Sequence, residues 1–474
     1  MPEHLSVTHN RSKVLCMKCS LLVIAVLVVV VLVYLPAARY SLVYDDHEQL
    51  ETNPRLTDWR HVPGYFTTHL WAHSPLQAPN YYRPLSLLFF RVESAILGPP
   101  SAVWHFASLA AHLGATVCLF LLIQHLVGSF TAALAAGALF ALHPIQTETV
   151  VWISACPDIL VTAFLVLSLY FYRVRKRPIS FVSVLFAALA VFTKESGMAA
   201  PVLIFAYEWI YSRFKNALLA IFPYVVVVLL YIAARINAIG SVTSAVAPDM
   251  SIQSTILTVP KVLAIYALHL IWPARLSPSY EVAVESRIWP LLLAIVVLFG
   301  LLWRMQGSSA NARFGAAWAA ITLAPSLGLG YLTRGDFTHD RYLYLPSVGL
   351  ALIAAVWSTR IQFAFRQRAL AGALALACCF GIRQYLPAWE NDITLFTRAV
   401  ERAPNNPYVK NNLADAYLKA NRPAEAFPLL QQAIELKPDY GLLYYNMARY
   451  YRMTGDYGEA ERYFTISDRL YPGK

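Results

Sequence analysis

The chain of 474 residues is 58% hydrophobic and only 14% charged, with a formal net charge of +11 and a mean hydropathy of +0.49. Globular domains average about 25% charged, so a soluble enzyme is excluded; so is a nucleic-acid binder, because the basic residues are scattered between apolar runs. The charge is also uneven: residues 389–474 hold 11 basic and 11 acidic side chains, and the whole net charge belongs to the apolar part before them.

In chain order, residues 20–38 form the first apolar run, of about the 20 residues that cross a bilayer. Arg11, Lys13 and Lys18 before it put the N-terminus in the cytoplasm. The stretch "LPAA" would also suit a cleaved signal peptide, but the run is long for one. Further apolar runs lie at 102–126, 129–143, 157–173, 178–193, 198–212, 217–236, 288–304, 313–331, 341–358 and 368–386, which makes eleven in all. Alternating them puts Arg173, Arg175, Lys176, Arg177, Arg213, Lys215, Arg304, Arg313, Arg360, Arg366 and Arg368 inside, as the positive-inside rule wants. That count requires the run 257–273 to be re-entrant or interfacial, and it leaves residues 389–474 outside the cytoplasm. Cys16 and Cys19 read as two unpaired thiols, since no second pair or histidine stands at zinc spacing.

With that orientation, 14 of the 16 acidic residues before residue 389 fall in outer loops or at outward helix ends. Ionisable groups at such positions usually mark function. The first outer loop, 40–82, carries "VYDDHEQLETNP", in which Asp45 and Asp46 are candidate general bases for a hydroxyl nucleophile or, alternatively, helix caps. Arg83 in "NYYRPLSLLFF" either forks onto a phosphate or snorkels to the interface. Later segments supply His143, Glu148 and Asp158, then Lys194 and Glu195 (which could neutralise each other), then Asp340, Arg341, Tyr342 and Tyr344. No metal and no cofactor is expected, because the histidines lack metal-site spacing.

A 34-residue period closes the chain: Pro404, Pro438 and Pro472 repeat, as do Leu413 and Met447, Ala414 and Ala448, Tyr417 and Tyr451, Ala426 and Ala460. Period and residue types are those of tetratricopeptide repeats, here two units after a half-unit that begins at Trp389. Such an array offers a groove to a protein chain, or else packs on the membrane part.

The segments "VYDDHEQLETNP", "YYRPLSLLFF", "WHFASLAAHL", "LFALHPIQTETVVWISACPDIL", "TKESGMAAPVLIFAYEW", "DRYLYLPSVGL" and "WENDITLFTRAVERAPNN" stand in one order. In this the chain resembles the transmembrane and tetratricopeptide-repeat-containing O-mannosyltransferase family. The resemblance implies a C-type glycosyltransferase that takes sugar from a polyprenyl phosphate, with a catalytic carboxylate in the first outer loop. Its eukaryotic members use dolichyl-phosphate mannose on protein hydroxyls. Where the family commonly has glycine, arginine and aspartate, this chain has Ala155, Cys156, Pro157 and Asp158, which keeps the aspartate without the arginine.

The resulting expectation is an all-α protein. A polytopic membrane domain (1–388, about eleven spans) precedes an extracytoplasmic tetratricopeptide α-solenoid (389–474), in a bacterial inner membrane or an endoplasmic reticulum. It would move a sugar, mannose by resemblance, from a polyprenyl-phosphate donor to Ser/Thr of an extracytoplasmic protein held by the repeats. The rivals are a glycan or lipid acceptor, or a non-catalytic scaffold. Asp45 is the expected base, with Asp46 orienting it or capping a helix. Arg83, Arg341 and Lys194 are expected on the donor phosphate, with His143, Glu148, Asp158, Glu195 and Tyr342 in support. No nucleic-acid partner is expected.

Overall fold

The computed structural model describes residues 20–74, 80–98, 101–174, 180–212, 214–241, 250–329, 337–360 and 365–470. The basic residues at 11, 13 and 18, together with Cys16, Cys19, Arg175, Lys176, Arg177 and Arg213, lie outside them. All regular elements among the described residues are helical. The membrane part runs α1 (Ser20–Arg39), α2 (Pro84–Leu97), α3 (Ser101–Val127), α4 (Phe130–Leu142), α5 (Cys156–Val174), α6 (Phe181–Thr193) and α7 (Ala200–Tyr211). It continues with α8 (Phe214–Ile239), α9 (Ile252–Ile271), α10 (Trp289–Met305), α11 (Ala310–Leu323), α12 (Tyr344–Ser358) and α13 (Phe365–Tyr385). Helices α4, α6, α9 and α11 each start after a serine (Ser129, Ser180, Ser251, Ser309) whose side chain accepts from the N–H three residues on, satisfying an orphan donor.

Seven helices are long and apolar enough to cross a bilayer, or eight if Phe130–Leu142 and Pro144–Val151, bent by 51°, make one span. The chain is therefore a multi-pass membrane protein, but eleven spans are not reached by length. Helices α6, α7, α10 and α11 have 13, 12, 17 and 14 residues, each shorter than the roughly 20 residues that a bilayer core of about 30 Å needs. Polar turns and prolines cut these runs; α11, for instance, gives way to tighter turns just before Pro325. The run 257–273 also differs from expectation. The Ser251 cap starts the helix earlier, and the resulting α9 has 20 residues, enough for a span by length and composition. Its polar contacts go to a few neighbouring segments: Thr258 accepts from Glu285 N–H at 3.0 Å, Lys261 pairs with Glu285 at 3.2 Å, and His269 meets Asp340 at 3.1 Å.

Packing is tightest at the centre. Of the apolar stretch in Ile153–Val174, 72% is buried, against 22% for Ser20–Arg39, Ala217–Ile239 and Ala369–Trp389. Helices α11 and α12 cross so closely that a Cβ on Gly349 would stand 2.1 Å from the Gly315 carbonyl oxygen, the small-residue contact that membrane helices use.

The tail is α14 (Asp392–Arg402), α15 (Pro407–Lys419), α16 (Pro423–Leu436), α17 (Gly441–Thr454) and α18 (Tyr457–Leu470). Ala414, Ala426, Ala433 and Ala448 are fully buried where its helices touch. Leu395, Phe396, Val409 and Leu413 join the apolar cluster of the membrane helices, whereas Leu418, Leu430, Leu443 and Met447 form a separate core. The half-unit thus packs on the membrane part while the later helices make their own interior. Ser41 N–H donates to the Glu390 carbonyl at 3.0 Å, so the start of the first loop meets the start of the tail.

Candidate functional site

Immediately after α1 the chain turns back on itself, and the two aspartates of the first loop part company. Asp46 is fully buried and accepts from Ser154 N–H at 2.7 Å, Ser154 Oγ at 2.5 Å and Val43 N–H at 3.3 Å. It does not cap the helical turn His47–Glu51, which corrects one of its two expected roles. Burial pushes it up to about 7, against the Ser154 and Val43 bonds that favour its ionised form. Asp45 is half-buried, and its side chain has no hydrogen bond or ion pair among the described residues. Burial pushes it up to about 6; the charge of Arg341 pulls it down, Glu48 pushes it up and Arg83 pulls it down.

The three expected phosphate ligands are each ion-paired, with hydrogens left over. Arg83 donates from Nε to Glu195 at 2.9 Å, places Nη2 at 2.9 Å from the same oxygen, and stacks at 4.2 Å over Tyr81. Lys194 Nζ donates to both oxygens of Asp158 at 2.6 Å. Arg341 Nη1 donates to Glu148 at 2.7 Å, and its guanidinium lies 4.7 Å from the Trp152 ring and 5.0 Å from that of Tyr342. Nη1 of Arg83 and Nε and Nη2 of Arg341 donate to nothing among the described residues. Burial lowers the Lys194 ammonium; Asp158 raises it, and Arg83 and Arg341 lower it further. Asp45, Arg83, Asp158, Lys194 and Arg341 thus share one electrostatic environment.

The supporting residues divide. Glu148, Asp158 and Glu195 hold the three cations, and Tyr342 flanks one of them. His143 is drawn elsewhere: Nε2 donates to the Leu270 carbonyl at 3.0 Å and Nδ1 accepts from Ile145 N–H at 3.3 Å, capping a turn against α9. Lys194 and Glu195 do not neutralise each other. Lys194 has extended backbone, φ −154° and ψ 149°, so the two side chains leave in different directions. Gly197 allows this turn to sit against α6, because a Cβ there would come within 2.4 Å of backbone atoms of Ala190 and Val191.

Two groups escaped the sequence reading, Arg235 and Asp392, and a third, Asp340, is visible there only as an acidic residue without a role. Arg235 on α8 stands 3.6 Å from Glu195 and donates to the Asn80 carbonyl at 2.8 Å; its sequence signal was a lone arginine at the end of an apolar run. Asp340 is buried and accepts from Tyr280 at 2.9 Å. Asp392, the first residue of α14, accepts from Tyr44 N–H at 2.8 Å and His47 Nε2 at 2.9 Å. Beside that contact an open cleft of about 540 Å³ separates the loop from the repeats.

Residues 409–465 match the family model described as tetratricopeptide repeat. A protein O-mannosyl-transferase of Caenorhabditis elegans is 22% identical over 427 residues, covering 86% of this chain and 61% of the relative. Protein O-mannosyl-transferase TMTC3 of Homo sapiens is 23% identical over 488 residues, covering 91% of this chain and 53% of the relative. The chain thus spans between about half and three fifths of these curated relatives. Among solved structures, ArnT of Cupriavidus metallidurans, bound to undecaprenyl phosphate, is 13% identical with a TM-score of 0.41, covering 94% of this chain and 77% of that one.

Proposed function

We propose that this chain is a membrane glycosyltransferase that moves mannose from a polyprenyl phosphate to Ser/Thr hydroxyls of extracytoplasmic proteins, with inversion. One observation carries the chemistry. Asp45 offers a carboxylate with open oxygens that feels the charges of Arg341 and Arg83, whose N–H groups are partly open. Asp45 takes the proton of the attacking hydroxyl. Arg83, Arg341 and Lys194 meet the charge that develops on the departing phosphate, so a preorganised cation cluster replaces a strong acid. Mannose and a protein acceptor are supported by the names of the relatives and by the tetratricopeptide match.

In this reading the N-terminus is cytoplasmic, and Asp45 and the repeats lie outside. The Ser41–Glu390 bond supports a common side for loop and tail, which requires an even number of crossings between them. Eleven crossings meet that requirement if the shorter helices also cross and α9 lies at the surface, where Glu285, Tyr280 and Asp340 meet it or its partners.

The test is reconstitution of the purified chain in vesicles with labelled polyprenyl-phosphate mannose and an acceptor peptide. Label on peptide hydroxyls is the expected result. Label on a glycan or lipid alone would move the acceptor to the rival class, and no transfer from any polyprenyl-phosphate sugar would sink the enzyme reading.

A further inference from the structure

Asp45 has no protein partner of its own among the described residues, so its direction is set by the residues around it in the chain. Tyr44 adopts φ 55°, a left-handed conformation that a bulky side chain keeps only where its surroundings over-determine it. Here the Tyr44 N–H donates to Asp392 Oδ1 at 2.8 Å; its ring stacks on Trp152 at 5.7 Å and meets the edge of Phe396 at 5.5 Å. Two residues beyond Asp45, His47 Nε2 donates to Asp392 Oδ2 at 2.9 Å, while Nδ1 lies 2.6 Å from Glu51. Each oxygen of one carboxylate therefore grips the loop on a different side of Asp45.

Asp392 is itself well placed to do this. It opens α14, where helix-end amides favour a negative charge, and the reciprocal Asn391–Thr394 capping box fixes that end. Phe396, one turn further along α14, is buried.

We infer that Asp392 is a positioning residue of the catalytic centre: carried by the tail, it fixes the Tyr44–His47 turn and so aims Asp45 at the cations. This deepens the reading above and rests on Asp45 being the base.

The experiment uses the full chain in vesicles with labelled polyprenyl-phosphate mannose and acceptor peptide. Asp392→Asn keeps the shape but sets an amide NH2 against one of the two donors. Turnover should fall by about 10- to 100-fold while donor KM moves by less than about twofold, because a misaimed base leaves ground-state binding intact. His47→Leu removes one of the same contacts and should show the same split; it replaces Asp392→Asn if that variant fails to fold. The double variant should be no worse than the poorer single one, since both break one device. Asp392→Glu, which keeps the charge, should recover part of the rate.

A second readout does not depend on activity. With the native cysteines replaced, Asp45→Cys should react faster with a soluble thiol reagent when Asp392→Asn is added. Normal turnover in folded Asp392→Asn, or an unchanged labelling rate, would overturn the positioning role. If Asp45→Asn transfers sugar normally, the base assignment fails instead, and the labelling rate alone decides whether Asp392 orders the loop.

Discussion

On the side of the first outer loop that faces Ser154 and the tail, carboxylates are engaged: Asp46 accepts three hydrogen bonds and Asp392 accepts two. Asp45, which feels the charges of Arg341 and Arg83, accepts none among the described residues, and both guanidinium groups keep N–H groups open. Asp45 and Asp46 are alike and adjacent in sequence, yet their chemistry differs. Satisfied buried polar groups hold a shape, because losing any partner exposes the full desolvation penalty. Open groups beside them are available to a ligand. Substitutions in the two sets should therefore move different observables.

The largest effect belongs to Asp45→Asn, which removes basicity at constant size. Turnover should drop by about 100- to 10,000-fold with no change in the thermal midpoint. In the unsubstituted protein the base works only when deprotonated, so with Asp45 raised to about 6 the rate should climb as pH rises through that value and level off above it. An unaltered pH profile in the variant would place the base elsewhere, with Asp158 the next candidate. Arg341→Lys comes next. Lysine keeps the charge and can reach Glu148, but it lacks the fork whose Nε and Nη2 stay open. Turnover should fall by about 10- to 100-fold, the worth of a hydrogen bond to a charged group, and a donor titration separates binding from chemistry.

Asp46→Asn should invert the pattern. It places an amide against donors in a fully buried site, and about 1–3 kcal/mol of stability should be lost while turnover per folded molecule stays near normal. Denaturation of the reconstituted protein and turnover per folded molecule, taken together, check this. The smallest effect is the pH response of the His47–Asp392 contact. The Asp392 carboxylate holds His47 up at about 9, with burial opposing and Glu51 assisting. Asp392 is held below its ordinary range by His47 and the Tyr44 N–H, and more weakly by Lys419, against the opposing effect of burial. A raised histidine stabilises fully below its unfolded value of 6.5, and that contribution is lost as pH rises through about 9. A depressed aspartate adds stability above 3.8 that is lost as pH falls through its folded value. The thermal midpoint difference between the unsubstituted protein and His47→Leu should therefore be widest near pH 5–6 and shrink at pH 10.

How much of this is legible in the sequence depends on the range of the interaction. Helices and repeats are local, and hydropathy with a 34-residue period marks where they lie; span length is less visible, because capping residues such as Ser251 and breakers such as Pro325 decide it. The cations and carboxylates of the site are also visible as ionisable residues that interrupt apolar runs. Their pairing is not. Lys194 and Glu195 look like partners until an extended backbone sends one to Asp158 and the other to Arg83, 112 residues away. Asp392 reads as an ordinary helix-opening acid, since nothing near it in sequence indicates a partner 348 residues earlier.

The contact between Tyr44 and Asp392 also sets an order of events during synthesis. The two residues are 348 apart, with every membrane helix after α1 made between them. At about 5–20 residues per second, a growing chain displays Asp45 for roughly 20–70 seconds before the residue that steadies it leaves the ribosome. Until then the loop has neither its Asp392 hydrogen bonds nor the Phe396 edge, and the candidate site is completed only after every membrane helix has been made. Ribosome-bound chains stalled shortly before Asp392 should transfer no sugar, and chains stalled long enough to expose α14 and α15 should begin to. Equal activity at both lengths would mean that the loop orders itself.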